Sequence, residues 1–167
     1  MIVVADTTPL ITLFKIGQID ILYRLYGTVY IPSAVFNELT CNPNYIEEAE
    51  YFRTCSFLKV QTNISQEKVS LLRRATGLDL GESEAIVLAD TNESSLLLID
   101  ESKGRVVAEN MKIKITGSIG ILFAAYQKGL LSSNEIENCV IALRNMNRFI
   151  GEKLFMLLLS LVKNKNV

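Results

Sequence analysis

The sequence predicts an α/β fold with a central, mostly parallel sheet, and three observations carry that expectation. Short apolar runs rich in β-branched residues alternate with segments of helical period. Two of those runs end abruptly in acid, at Asp6 and at Asp100-Glu101. The chain has 167 residues and is 49% apolar. That is enough for one domain with a real core, which buries roughly two-thirds of the surface of its unfolded chain.

Residues 2–5 (IVVA) form a continuous apolar run and read as a buried strand. Asp6 ends it. Thr8-Pro9 then resembles a helix start, with Thr8 as N-cap and proline in the first turn. Leu10, Leu13 and Phe14 recur at helical spacing, and a second short helix is expected over residues 19–25. Residues 28–31 read as the second strand. Pro32-Ser33 opens a helix to about Leu39, with Val35, Phe36 and Leu39 on its apolar face, and Asn42-Pro43 breaks it. A helix over residues 45–53 and an edge strand over 57–60 follow.

Residues 65–75 form an amphipathic pattern. Asp79 and Glu82 stand at capping-box spacing, so a helix is expected from about Leu80 to about Asp90. Residues 96–99 are a very apolar strand, 102–110 a helix and 112–115 the last strand. Gly117 precedes a helix over 119–128 that stops at Gly129, and two more helices are expected over 133–146 and 151–163. Strands alternating with helices imply parallel pairing through right-handed crossovers. No repeat or linker interrupts the pattern, so residues 1–163 read as a single domain and 164–167 as a short C-terminal tail.

Composition narrows the chemistry. Lys plus Arg number 17 and Asp plus Glu 18, a net charge of −1, so there is no general basic field for coating nucleic acid. The count of His is 0, which removes Ser-His and Cys-His catalysis and His-ligated zinc. Cys41, Cys55 and Cys139 lack CxxC spacing and fit a reducing, cytoplasmic setting better than a disulfide framework. The N-terminus does not read as a signal peptide, and the greasiest stretch, 155–162, is too short to span a membrane.

Acids at strand ends are therefore the candidate chemistry. Sites in open parallel sheets form just beyond the strand C-termini. Asp6 and Asp100 are placed there, and oxygen ligands suit Mg²⁺ or Mn²⁺. The competing role for each is to cap the following helix. Glu38 and Glu84 are further candidates. Glu82 and Glu84 lie about 200° apart around a helix, so one at most faces a given site easily. Glu82 has a role in the capping box, which makes Glu84 the better inward candidate.

The order Asp6-Thr7-Thr8-Pro9-Leu10-Ile11, Ile31-Pro32-x-x-Val35-x-x-Glu38-Leu39, Glu84-Ala85-Ile86 and Leu98-Ile99-Asp100 resembles the PIN-domain ribonucleases over nearly the whole chain. Within that superfamily it is similar to a VapC-like branch of prokaryotic proteins. That likeness rests on Leu80-Gly81-Glu82-x-Glu84-Ala85-Ile86, Ile99-Asp100-Glu101-x-x-x-Arg105, Thr116-Gly117-Ser118-Ile119-Gly120 and Arg148-Phe149-Ile150. The resemblance implies a three-layer α/β/α sandwich, dependence on Mg²⁺ or Mn²⁺, and single-stranded RNA as substrate. It makes Asp6, Glu38, Glu84 and Asp100 the metal-binding and catalytic acids, with Asp6 and Asp100 as principal ligands. The third acid is Glu where many PIN nucleases carry Asp, and Glu82 and Glu101 add acids beyond a quartet.

Auxiliary roles fall to Thr8 (a bond to Asp6 or to a metal-bound water), to Arg105 (a site carboxylate or RNA phosphate) and to Ser118 (phosphate binding, or a helix cap). Lys103, Lys112 and Lys114 are candidate phosphate contacts. The implied partners are RNA and, in a toxin role, a small antitoxin protein. A homodimer would bury the apolar C-terminal helix around Leu157, Leu158 and Leu159. The alternative is a catalytically inactive PIN-like module that binds RNA or protein. Phosphotransfer folds fit less well: a dehalogenase-type phosphatase needs Asp at the position of Thr8, and a receiver domain needs an acidic neighbour that Asp6 lacks.

Overall fold

Five short strands pair in parallel to make one sheet. They are β1 (Val3–Ala5), β2 (Val29–Pro32), β3 (Leu58–Gln61), β4 (Leu96–Leu98) and β5 (Lys114–Thr116), in the spatial order β3-β2-β1-β4-β5. A computed structural model describes residues 1–92, 95–146, 156 and 158–160. β1 is thus the central strand of the sheet. Val4 lies opposite Tyr30 on one side, and Val3, Val4 and Ala5 lie opposite Leu96, Leu97 and Leu98 on the other.

Successive strand residues face opposite sides of a sheet, and here both sides are apolar. Val3, Ala5, Val29, Ile31 and Leu98 join one core with α1 (Thr7–Lys15), α2 (Ile21–Tyr26), α3 (Ser33–Cys41), α4 (Ile46–Thr54), α8 (Ser118–Gln127) and α9 (Ser133–Asn145). Val4, Leu97 and Ile99 join the opposite core with α6 (Leu80–Thr91) and α7 (Ser102–Asn110), and Leu72 of α5 (Gln66–Thr76) packs against it. The result is the three-layer α/β/α sandwich. Right-handed crossovers explain the division. From β1 the chain moves through β2 to β3 with its helices on one face. From β4 it moves the opposite way to β5 with α7 on the other face.

Several boundaries differ from the sequence expectation, each for a local reason. The first helix begins at Thr7 with Asp6 as its N-cap residue, so Thr8 does not cap it. Residues 19 and 20 close a turn, with Ile21 N donating to Gln18 O at 3.2 Å, and α2 starts only at Ile21. Lys112, at φ 61, completes the end of α7, which delays the last strand to Lys114. Ser118 is the first residue of α8 and Gly117 its N-cap. The expected box is present at Asp79/Glu82, and a second, which the sequence reading did not name, starts α9 at Ser132/Glu135. The helix expected over 151–163 and the tail 164–167 lie outside the described residues, except for helical Met156 and Leu158–Ser160; Leu158 is buried in the first core. Among the described residues no helix is long and apolar enough to cross a membrane.

Gly104 lets α7 approach the sheet. A Cβ there would lie 2.6 Å from Ile99 Cδ1 and 2.9 Å from Glu82 Oε1. Gly104→Ala is therefore expected to lower unfolding free energy by about 1–3 kcal/mol, the usual range for overpacking, as read by urea denaturation. An unchanged midpoint would show that α7 has slack against β4.

Candidate active site

β1 and β4 are neighbours whose chains leave in opposite directions, so a crevice opens beyond their C-terminal ends. Asp6 N donates to Leu98 O at 3.0 Å, extending the ladder one residue past β1. The Asp6 side chain emerges at the mouth of that crevice yet is only 3% exposed. It lines a cleft of about 320 Å³ together with Thr7, Thr8, Glu38, Asp79, Glu82, Glu101 and Lys103. A larger hollow of about 470 Å³, bounded by Phe14, Lys15, Pro43, Asn44, Ile46, Glu47 and Glu48, has no strand end in its lining.

Each wall has a structural reason. Glu38 comes from α3, where Thr7 Oγ1 donates to its Oε2 at 2.8 Å. It also abuts the first turn of α6, since a Cβ on Gly81 would lie 3.5 Å from the same oxygen. Glu82 serves two purposes. Its Oε2 accepts from Asp79 N at 3.2 Å, completing the capping box, while its Oε1 lies close to Gly104 of α7. Glu101 precedes α7 and is exposed. Lys103, the one cation of the lining, donates from Nζ to Gly77 O at 3.0 Å.

The other predicted acids are engaged elsewhere. Glu84 is 6% exposed and outside the cleft lining; its Oε2 accepts from Ala34 N at 3.1 Å and its Oε1 from Gln66 Nε2 at 3.4 Å. Asp100 accepts from Ser118 N at 2.7 Å and Ser118 Oγ at 2.6 Å, so it holds the N-terminus of α8. Arg105 donates to Ile99 O at 2.9 Å rather than to a carboxylate. Thr8 is in the cleft wall. The structure therefore brings Asp6, Glu38, Glu82 and Glu101 to one cleft and places Glu84 and Asp100 beside it. Thr7 and Asp79 escaped the sequence reading as cleft residues. Thr7 had a signal in its position directly after the strand-ending Asp6, whereas Asp79 was legible only as a cap.

Burial pushes the Asp6 carboxyl from 3.8 up to about 7; the Thr7 backbone N–H opposes this, and the negative charges of Glu82, Asp79 and Glu38 add to it. Glu82 is raised as well, first by burial; the Asp79 backbone N–H and Lys103 counter this, while Asp79 and Glu101 reinforce it. The cleft thus carries more negative charge than its single lysine offsets. Its acidic donors are carboxylate oxygens, which suit a hard divalent cation. Among the described residues no three acidic or cysteine side chains gather around one point. Any ion these oxygens held would be one that, like Mg²⁺, keeps several waters and takes few protein ligands.

The raised Asp6 value has a definite sign. Between about pH 4 and pH 7 the folded protein retains a proton at Asp6 that the unfolded chain has released. Stability without metal is expected to fall as pH rises through this window, and Asp6→Asn to flatten the fall. At pH 8 the variant should be more stable than the parent by on the order of 2 kcal/mol, a discounted conversion of the shift. Chemical denaturation across pH checks this; a steeper fall in the variant would place the buried charge elsewhere.

A family model described as PIN domain matches residues 2–164. Neither a curated protein nor a solved structure matches the chain significantly. PIN domains are generally nucleases. A match over almost the whole chain, on a parallel sheet with acids at its switch point, means that this chain belongs to the PIN domain family.

Proposed function

We propose that the protein is a Mg²⁺- or Mn²⁺-dependent ribonuclease that hydrolyses phosphodiester bonds of single-stranded RNA. The observation that carries this reading is the buried Asp6 carboxylate at the sheet's switch point, facing Glu38 and Glu82 in an acidic cleft. Asp6, Glu38 and Glu82 are the groups that would surround the ion, partly through the waters it keeps, with Glu101 at the rim. Asp100 and Glu84 lie outside the cleft lining, and their oxygens accept from Ser118 and Ala34. A bound divalent cation supplies a water of lowered pKa and neutralises charge at the phosphate. Thr7 orients Glu38, the capping box orients Glu82, and Lys103 offers the lining's one positive contact to phosphate. In this reading the cell needs a restraint on the activity, and a small antitoxin protein covering the cleft is the form it takes in a toxin–antitoxin pair.

A second reading is a PIN-like module that binds RNA or protein without cutting. It is favoured by one observation: two of the four acids implied by resemblance, Glu84 and Asp100, bond helix ends and lie outside the cleft lining. Cleavage assays separate the two. Purified protein with millimolar Mn²⁺ is expected to cut single-stranded RNA, and Asp6→Asn or Glu82→Gln to reduce the rate about a hundredfold or more, the order lost with a group acting at the reacting atoms. Equal cleavage by parent and variants would trace the activity to a contaminant. The same metal is expected to raise the melting temperature of the parent more at pH 8 than at pH 6, because it competes with the Asp6 proton. Absence of both cleavage and metal stabilisation would leave the binding module as the better account.

A further inference from the structure

Helix α3 carries Glu38, yet its N-terminus has no local cap. The N-cap residue is Pro32, whose side chain has no oxygen to offer the first free N–H groups. Unpaired donors at a partly buried helix end are costly. The missing acceptor arrives from 50 residues further along the chain, because Glu84 Oε2 takes the Ala34 N–H at 3.1 Å. Ala34 and Glu38 are four residues apart, so they lie on the same face of α3 in successive turns. Fixing Ala34 therefore fixes the height and rotation of the face that presents Glu38 to Thr7 Oγ1 at 2.8 Å.

The other oxygen of Glu84 is occupied by Gln66 Nε2 at 3.4 Å, and the side chain is buried. Glu84 thus ties α5, α6 and α3 together from the side of α6 opposite Glu82. Each acid of the Gly81-Glu82-Ser83-Glu84 turn has its own direction: Glu82 to the cleft, Glu84 to the helix that bears Glu38.

Resting on the metal-site reading above, we propose that Glu84 is a positioning residue that acts through Ala34 to place Glu38, and is not itself a metal ligand. Gln at this position retains a carbonyl acceptor for the Ala34 N–H, whereas Ala does not. Glu84→Ala is expected to weaken Mg²⁺ binding about tenfold by calorimetry, the order found when a residue supporting a ligand is lost. Glu84→Gln is expected to stay close to the parent, while Asp6→Asn loses binding. In a Glu38→Gln background, Glu84→Ala should cost little further affinity, because its effect travels through Glu38.

Loss of binding in Glu84→Gln as large as in Asp6→Asn would make Glu84 a ligand and overturn the proposal. So would an additive effect in the double variant, which a purely structural weakening would give. The ¹³C carboxyl resonance of Glu38 in metal-free protein provides a readout that needs no metal. It should move in Glu84→Ala and hold in Glu84→Gln; no movement in either variant would refute the coupling. A parent protein that binds no Mg²⁺ would sink the metal reading, and the resonance would still decide the role of Glu84.

Discussion

Burial of the Asp6 carboxylate at the C-terminal end of the central strand is the constraint on which the site depends. β1 is flanked on both sides, by β2 and β4, and its ladder continues through Asp6 N to Leu98 O. Helix α1 begins at the next residue, so the chain leaves Asp6 no room to turn its side chain out to water. A carboxylate held in this way is tolerated only if it is protonated or paired with positive charge. Its surroundings are other carboxylates and one lysine. Below about pH 7 a retained proton meets that requirement, and above it a cation would favour the charged form. The group lies where α/β sheets usually bind their ligands.

A second theme is how helix ends are satisfied. Helices α5, α6 and α9 are capped by the side chains of Ser65, Asp79 and Ser132, each immediately before its helix. Helices α3 and α8 have Pro32 and Gly117 at the N-cap, and neither residue offers a side-chain acceptor. Both borrow one from an acid distant in sequence: Glu84 for α3 and Asp100 for α8. Both lenders are acids that resemblance would assign to the metal. The site is thus built from two groups of carboxylates, one facing the cleft and one holding the helices that frame it. This division gives Glu38 and the first turn of α8 defined positions without loading every acid into one small volume, where mutual repulsion would be severe.

Much of the fold was legible in advance. The apolar runs at residues 2–5 and 96–99 and the box at Asp79 and Glu82 each depend on near neighbours in the chain. Boundaries slipped where a turn took residues from an element. Lys112 at φ 61 and the turn at Ile19-Asp20 are such cases, and neither leaves a mark in hydrophobic period. Among the site residues, Asp6 and Glu38 were legible from strand end and motif, and both line the cleft. Glu82 and Glu84 exchanged emphasis. Sequence spacing showed correctly that they point in different directions, but a capping box does not remove its glutamate from a cleft when only one oxygen is used in the cap.

By itself the sequence determined that strands and helices alternate, that two strands end in acid, and that Asp79 starts a helix. Those features follow from side-chain period and from bonds spanning three or four residues, and such physics is written locally. Tertiary structure alone decided that β1 and β4 are neighbours, that Thr7 meets Glu38 across 31 residues, and that Glu84 meets Ala34 across 50. No spacing rule connects those pairs. They come together because right-handed crossovers place α3 and α6 on opposite faces of one sheet, with their N-termini at the same end. Packing at that end turns each carboxylate towards the cleft or towards a helix terminus.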